Sequence, residues 1–326
     1  VTTNWTNASA LLHDAQRIVI VTHVAPDGDA IGTLLGLAHM LRAAGKSVDA
    51  AVDGGVPDYL AFLPGTDTVH KSLPEAQWDL YISVDASDEA RTGECGAYAR
   101  SHSNATINLD HHVTNTGFAD VQLVVSTAVS AAEVAFDWIA ALGLTPTQES
   151  AQCLLCGMVT DTLGFRTSNV TPRTLEIAQQ LMQLGASLTL VTSLTLDTRD
   201  FNSLLVWREA LAGLTLDGGV IYTSVPFSVF SRLGVDPATE LNLSGFMVKV
   251  NEAMVSAVFK ERHDGRIELS FRAKLGFNVG ALALELGGGG HVQASGATID
   301  GPLDRAVERV VPLLKHVVTS GTLVIK

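Results

Sequence analysis

Three β-rich runs in the first third of the chain end on residues that bind metals or carry protons. Ile18 to Thr22 runs into His23, Asp79 to Val84 into Asp85, and Ala105 to Leu109 into Asp110-His111-His112. Helical patterns lie between them. The first places Ile31, Leu34, Leu35, Ala38 and Leu41 at helical spacing from Ala30 to Ala44, and Gly45-Lys46 closes it. A further run, Ser47 to Val52, follows at once. Strands alternating with helices predict a parallel, doubly wound sheet. Such a sheet carries its strand carboxyl ends to one edge, where its ligands bind. The residues that stop these strands are therefore expected to meet in one cleft.

The first of these turns, His23-Val24-Ala25-Pro26-Asp27-Gly28-Asp29, admits two readings. An Asp-x-Asp with a nearby histidine is a half-site for a divalent metal. Equally, Asp27 and Asp29 suit the positive N-terminus of the helix that follows. Another acid, Asp161, comes after the apolar run Cys156 to Val159. Four or more carboxylates gathered in a small volume repel one another unless cations neutralise them. Two divalent ions sharing one bridging acid would do so. Carboxylates mixed with imidazole favour Mn²⁺ or Mg²⁺ over a thiolate-type zinc site.

Composition narrows the function classes. The 326 residues suggest two domains, and 47% hydrophobic against 17% charged residues allows a sizeable core. No run of roughly 18 apolar residues predicts a membrane span. The first residues lack the basic-then-apolar order of a secretory signal, so a cytoplasmic protein is expected. Three cysteines suggest no disulfide framework, and Cys153-Leu-Leu-Cys156 reads as buried helix positions. The net charge of −13, with no Lys/Arg block, argues against tracking long nucleic acid, which needs a basic face. It leaves room for a small anionic ligand held by metals and a few local cations.

Further helical patterns cover Thr127 to Leu142, Thr147 to Thr160 and Pro172 to Leu184, and a helical connector runs from about Leu188 to Gly213. A second domain is expected to begin with the strand Val220 to Val225. Met254 to Lys260 and Arg266 to Arg272 form a predicted hairpin around His263-Asp264-Gly265. A helix from Leu303 to Val318 and a strand from Thr322 to Ile325 complete the reading. Between them, Gly287 to Gly290 precede His291, and glycine backbone N–H groups can approach an anion closely. His291 and the guanidinium fork of Arg272 suit a terminal phosphate, with Lys274 a weaker candidate.

Taken together, His23-x-x-Pro26-Asp27-x-Asp29, Val84-Asp85-Ala-Ser-Asp88, Asp110-His111-His112-x-x-Asn115 and Gly157-x-x-x-Asp161-Thr162 resemble the four motifs of the DHH phosphoesterase superfamily. Ser270-Phe271-Arg272 and Gly287-Gly-Gly-Gly290-His291-x-x-Ala294-Ser295-Gly296 resemble the DHH-associated domain with its GGGH motif. Size and domain order are similar to the stand-alone nanoRNase/pAp-phosphatase type. The resemblance implies a catalytic domain over residues 1–186, a helical connector over 187–214 and a substrate-binding α/β domain over 215–326. It implies one metal on His23, Asp27 and Asp85 and a second on Asp29, Asp85, His111 and Asp161, with Asp85 bridging.

By the same resemblance, Asp110 orients a histidine and His112 sits beside the reacting phosphate, so Asp85, Asp110 and His112 are the expected catalytic residues. Asn115, Arg272, Gly288, Gly289, Gly290 and His291 are expected at the substrate, and Arg91 matches a family position. The implied activity is hydrolysis of short oligonucleotides, linear dinucleotides or 3′-phosphoadenosine 5′-phosphate (pAp) by two-metal hydroxide attack, releasing nucleoside monophosphates. Mn²⁺ is the first expectation, with Mg²⁺ or Co²⁺ as alternatives. The expected assembly is a homodimer with no long nucleic acid and no membrane as partner. A cyclic-dinucleotide phosphodiesterase and a non-catalytic nucleotide sensor are the rival readings. One departure stands out: many relatives read Asp-Thr-Gly in the fourth motif, whereas here Leu163 intervenes before Gly164.

Overall fold

Each β-rich run of the first half forms a strand in the computed structural model, which describes residues 4–239 and 241–321. The chain divides into two units, one up to Thr198 and one from Arg199. In the first, the elements in order are α1 (Trp5–Asp14), β1 (Arg17–Val21), α2 (Gly28–Ala43), β2 (Ser47–Ala51), β3 (Val69–His70), β4 (Trp78–Val84), α3 (Gly93–Ser101), β5 (Ser103–Asp110) and β6 (Val121–Val124). The helices α4 (Ala131–Ala141), α5 (Gln148–Asp161), α6 (Pro172–Gln183) and α7 (Leu188–Thr192) follow. All pairings are parallel, in the order β3-β2-β1-β4-β5-β6. The strand order reverses between β1 and β4, and ligand crevices of open α/β sheets form outside the carboxyl ends at such a switch.

Alternate residues of the central strands bury on opposite faces, as a sheet covered on both sides requires. Ile18 and Ile20 join the large core beneath α2, α4 and α5, while Val19 and Val21 pack with Cys95 and Ala99 of α3. Each such fully buried aliphatic side chain stabilises the fold by about 1.5–3 kcal/mol. One feature of α2 sets the site's dimensions. Gly28, Gly32 and Gly36 recur every four residues and so share a helix face. That face meets α5 at backbone distance: a Cβ on Gly32 would lie 2.5 Å from the Cys153 carbonyl oxygen and 2.8 Å from Gly157 N. The bare stripe lets the two helices approach until Asp29 and Asp161, at their facing ends, belong to one cluster.

Helix starts follow their caps. The helix expected from Thr127 begins only at Ala131, because Ser130 adopts extended backbone and its hydroxyl accepts from Glu133 N at 3.1 Å. Thr147 and Thr171 cap α5 and α6 in the same way, with Pro172 in the first turn of α6. The helical run from Leu188 is interrupted by a π-helical turn at Ser193–Asp197 and extended backbone at Thr198 and Asp200. Helix α1 and strands β3 and β6 had no counterpart in the sequence reading.

The second unit comprises α8 (Phe201–Ala212), β7 (Thr215–Asp217), β8 (Val220–Val225), α9 (Phe227–Leu233), α10 (Leu243–Met247), β9 (Val255–Glu261), β10 (Ile267–Ala273), α11 (Val279–Glu285), β11 (Gly289–Gly290), β12 (Ala294–Ile299) and α12 (Leu303–Ser320). Its sheet, β11-β12-β10-β9-β8-β7, is antiparallel except between β8 and β9. The predicted hairpin is β9–β10. Phe259, Leu269 and Phe271 pack with Val310 and Leu314 of α12 on one face, and Val258 and Ile221 pack with Val206 and Leu243 on the other. The strand expected at Thr322 to Ile325 lies outside the described residues. Among the described residues, no helix is long and apolar enough to cross a membrane.

Candidate active site

In the turn between β1 and α2, the capping reading holds for Asp27 alone. Asp27 is the N-cap of α2, and its Oδ1 accepts from Asp29 N at 3.0 Å and Ala30 N at 3.1 Å. The side chain remains exposed enough to offer its other oxygen elsewhere. Asp29 caps a different helix. Its Oδ2 accepts from Ala131 N at 2.6 Å and its Oδ1 from Ala132 N at 3.0 Å, the first turn of α4, and Thr33 Oγ1 donates to Oδ1 at 3.2 Å. Gly28 serves packing: its place on the stripe facing Thr160 of α5 leaves no room for a side chain.

Asp85, immediately after β4, is buried and stands between two histidines. Its Oδ2 lies 3.6 Å from His23 Nε2 and its Oδ1 3.6 Å from His111 Nε2. His23 Nδ1–H donates to the Val24 carbonyl at 2.9 Å, which leaves Nε2 with its lone pair toward Asp85. His111 Nε2 also lies 3.5 Å from Asp161 Oδ2 and 3.8 Å from Asp29 Oδ2. Asp85 is held with a left-handed φ of 55°, which costs about 1–2 kcal/mol for a residue with a Cβ. Its amide donates to the Leu109 carbonyl at 2.9 Å, tying the loop after β4 to β5.

Three groups of side chains bring potential ligand atoms within 4.8 Å of one another: His23, Asp27 and Asp85; Asp29, His111 and Asp161; and Asp85, Asp110, His111 and His112. The donor set suits hard divalent ions. Asp85 Oδ1 is buried without a hydrogen-bond donor among the described residues. Burial, then the charge of Asp27, pushes Asp29 up to about 7; burial, then Asp29 and Asp27, pushes Asp161 up to about 8. Burial and the surrounding acids drive Asp85 well above the carboxylate range. Burial also lowers His23, favouring the neutral ring that can ligate. A cluster of carboxylates this crowded and buried fits divalent metal.

A second network backs this cluster. Asp110 Oδ1 accepts from His112 Nδ1–H at 2.8 Å, and Asp110 Oδ2 accepts from Asn115 Nδ2 at 2.6 Å. Asn115 Nδ2 also reaches Asn108 Oδ1 at 2.7 Å, and Asn108 Nδ2 donates to the Ala86 carbonyl at 3.1 Å. The hydrogen bond to Asp110 raises His112. Burial alone would raise Asp110, but the hydrogen bonds from His112 and Asn115 bring it below its ordinary value. Asn115, expected at the substrate, has its amide committed to Asp110 and Asn108. Asn108 and Thr33 were missed. A polar residue inside Ile107-Asn108-Leu109 and a hydroxyl four residues after Asp29 were the available signals.

In the second unit, Arg272 is paired in register with Ser256 and Ala294, and the hydroxyls of Ser270 and Ser244 meet at 2.8 Å. In the glycine block and His291, part of the N–H supply is already bonded within the chain. Gly287, Gly288 and His291 donate their N–H groups to the carbonyls of Leu284 (3.0 Å), Ala283 (2.8 Å) and Ala294 (2.8 Å), which withdraws them from an anion. A Cβ on Gly290 would lie 2.6 Å from the Ala294 carbonyl oxygen, so strand contact explains that glycine; Gly289 has open space around it. Lys274 Nζ donates to the carbonyls of Val250 and Asn251 at 2.8 and 3.1 Å, a structural use. Cys153 and Cys156 are buried in α5, and burial pushes Cys156 up to about 12.

The order of strands, the switch-point cluster and the glycine-bearing second sheet define a type of protein, and comparison with known proteins bears it out. The DHH family N-terminal domain matches residues 17–158 and the DHHA1 domain residues 217–320. The chain belongs to the DHH family of phosphoesterases and is a hydrolase. It is 34% identical over 310 residues, 93% of this chain and 90% of the relative, to the bifunctional oligoribonuclease and PAP phosphatase NrnA of Thermus thermophilus. It is 26% identical to the protein of the same name from Bacillus subtilis, covering 86% of this chain and 89% of that one. A crystal structure of an exopolyphosphatase-related protein from Bacteroides fragilis superposes with a TM-score of 0.86 at 25% identity, covering 95% of this chain and 97% of that one.

Proposed function

We propose that the chain hydrolyses very short oligoribonucleotides and pAp, releasing nucleoside monophosphates, with Mn²⁺ as its metal. The observation that carries this reading is Asp85, whose two oxygens face His23 and His111 between two ligand groups. His23, Asp27 and Asp85 would hold one ion, and Asp29, Asp85, His111 and Asp161 the other. Bound there, the ions supply Lewis-acid activation of water and neutralise phosphoryl charge. The relatives' names supply the substrate class.

The protein's own groups have separable tasks under this reading. Asp110 fixes the His112 proton on Nδ1 and turns Nε2 away from itself, so Nε2 is the atom that exchanges a proton with the phosphate or its leaving oxygen. Asn115 and Asn108 hold Asp110 in place. Arg272 and His291 of the second unit bind a terminal phosphate of the nucleotide. A net charge of −13 suits short ligands gripped locally over long strands gripped electrostatically. We further read the protein as a cytoplasmic homodimer.

The test is a panel: purified protein with Mn²⁺ against pAp, pGpG, pApA, cyclic di-AMP, a short RNA oligomer, a long single strand and pyrophosphate. Turnover is expected for pAp and the linear short nucleotides, and Asp85→Ala abolishes it. Cleavage of the cyclic dinucleotide alone would favour the rival phosphodiesterase. Tight binding of the short nucleotides with no turnover would favour a sensor, and cleavage of only the long strand would overturn the substrate class.

A further inference from the structure

Arg91 stands on the 3₁₀ turn Ala90–Thr92, a few residues after Asp85. One hydrogen bond shapes that turn and a second ties it to the site. Arg91 N donates to Asp88 Oδ1 at 3.1 Å, and Val24 N, adjacent to His23, donates to the Arg91 carbonyl at 2.7 Å. Gly93, at φ 65°, closes the turn so tightly that a Cβ there would lie 2.7 Å from Val24 Cγ1. The backbone of residue 91 is thus built onto the loop that presents His23.

The side chain has no such commitment. It is half-buried, yet among the described residues its guanidinium makes no hydrogen bond and no ion pair. Its sequence neighbour Glu89 is taken by Arg100 at 3.1 Å. None of the acids of the cluster pairs with it: Asp85, Asp29 and Asp161 face His23 and His111 instead. A guanidinium kept partly out of water without a carboxylate partner is costly unless an anion arrives. Its planar fork matches two oxygens of a phosphate. The anion that belongs beside the loop presenting His23 in a phosphoesterase is the reacting phosphoryl group.

We propose that Arg91 is a catalytic residue whose guanidinium binds two non-bridging oxygens of the phosphoryl group being hydrolysed. The assignment rests on the phosphoester chemistry proposed above, and not on which short nucleotide is the substrate. The test compares the full chain, Mn²⁺-loaded, as wild type, Arg91→Met and Arg91→Lys. Inorganic phosphate binding is measured by calorimetry, and kcat and KM are measured on pAp.

Arg91→Met keeps the apolar stem, and it is expected to retain Mn²⁺ stoichiometry and melting midpoint. It should bind phosphate about tenfold or more weakly and lose on the order of 10²-fold in kcat/KM. Arg91→Lys keeps charge but not the fork, and should fall between the two; it decides the matter alone if the methionine variant does not fold. Wild-type phosphate affinity and turnover in either folded variant would overturn the assignment, as would lost stability with unchanged phosphate affinity. If the wild type leaves pAp intact, the substrate reading fails while the phosphate titration still decides Arg91.

Discussion

Replacing Asp161 by asparagine should stabilise the metal-free protein and weaken the metal-loaded one. The carboxyl is pushed up to about 8 by burial and by Asp29, Asp27 and Asp110. Because its folded value lies above its unfolded one, the folded state holds a proton that the unfolded chain releases. Stability therefore falls as pH climbs from about 4 to about 8, then levels off. One such group changes stability by about 1.4 kcal/mol per pH unit. The side chain retains 29% of its surface exposed, and the neighbouring acids share their protons, so the realised difference is on the order of 2 kcal/mol at pH 8.

Asparagine has the same shape and no charge to lose. In chelator, Asp161→Asn and wild type should have nearly equal urea midpoints near pH 4.5 and diverge in favour of the variant toward pH 8. With saturating Mn²⁺ the order should reverse, because wild type gains binding free energy that the variant lacks. A variant no more stable than wild type at pH 8 in chelator, or one stabilised as much by Mn²⁺, would refute the electrostatic account of the cluster.

Two further substitutions test how the backbone sets the site. Gly32→Ala places a methyl 2.5 Å from the Cys153 carbonyl oxygen, where no side-chain rotation relieves it; it should cost about 1–3 kcal/mol in urea denaturation and weaken Mn²⁺ binding by parting Asp29 from Asp161. Leu163→Gly should raise stability by about 0.5–1 kcal/mol, since Leu163 holds φ 51° while 53% exposed, and turnover should survive it.

The site was more legible in the sequence than the way it is assembled. His23, Asp85 and Asp110 could be placed together because each follows a β-rich run, and parallel strands leave one edge for their ends. The Gly28-Gly32-Gly36 spacing was equally visible, but apolar periodicity alone marked that stretch as a helix without saying that its partner would come to backbone contact. Helix α4 began late because the Ser130 cap outweighed the apolar pattern before it. Short strands such as Val69–His70 carry too few residues for a period of two to register. The glycine block is the reverse case. Its composition suggested exposed N–H groups, whereas the end of α11 takes those of Gly287 and Gly288 and the start of β12 takes that of His291. Leu163, Gly164 and Phe165, at φ 51°, 75° and 62°, form a left-handed turn after Asp161 in which leucine takes the first position.

The central claim is that Asp85 is shared by two ions, which divide the five other ligand side chains between them. Anomalous diffraction at the manganese edge from crystals grown with Mn²⁺ tests it most directly. The account predicts two peaks per chain, one among His23, Asp27 and Asp85 and the other among Asp29, Asp85, His111 and Asp161. A single peak, or peaks that leave Asp85 outside both coordination spheres in the active protein, would contradict it.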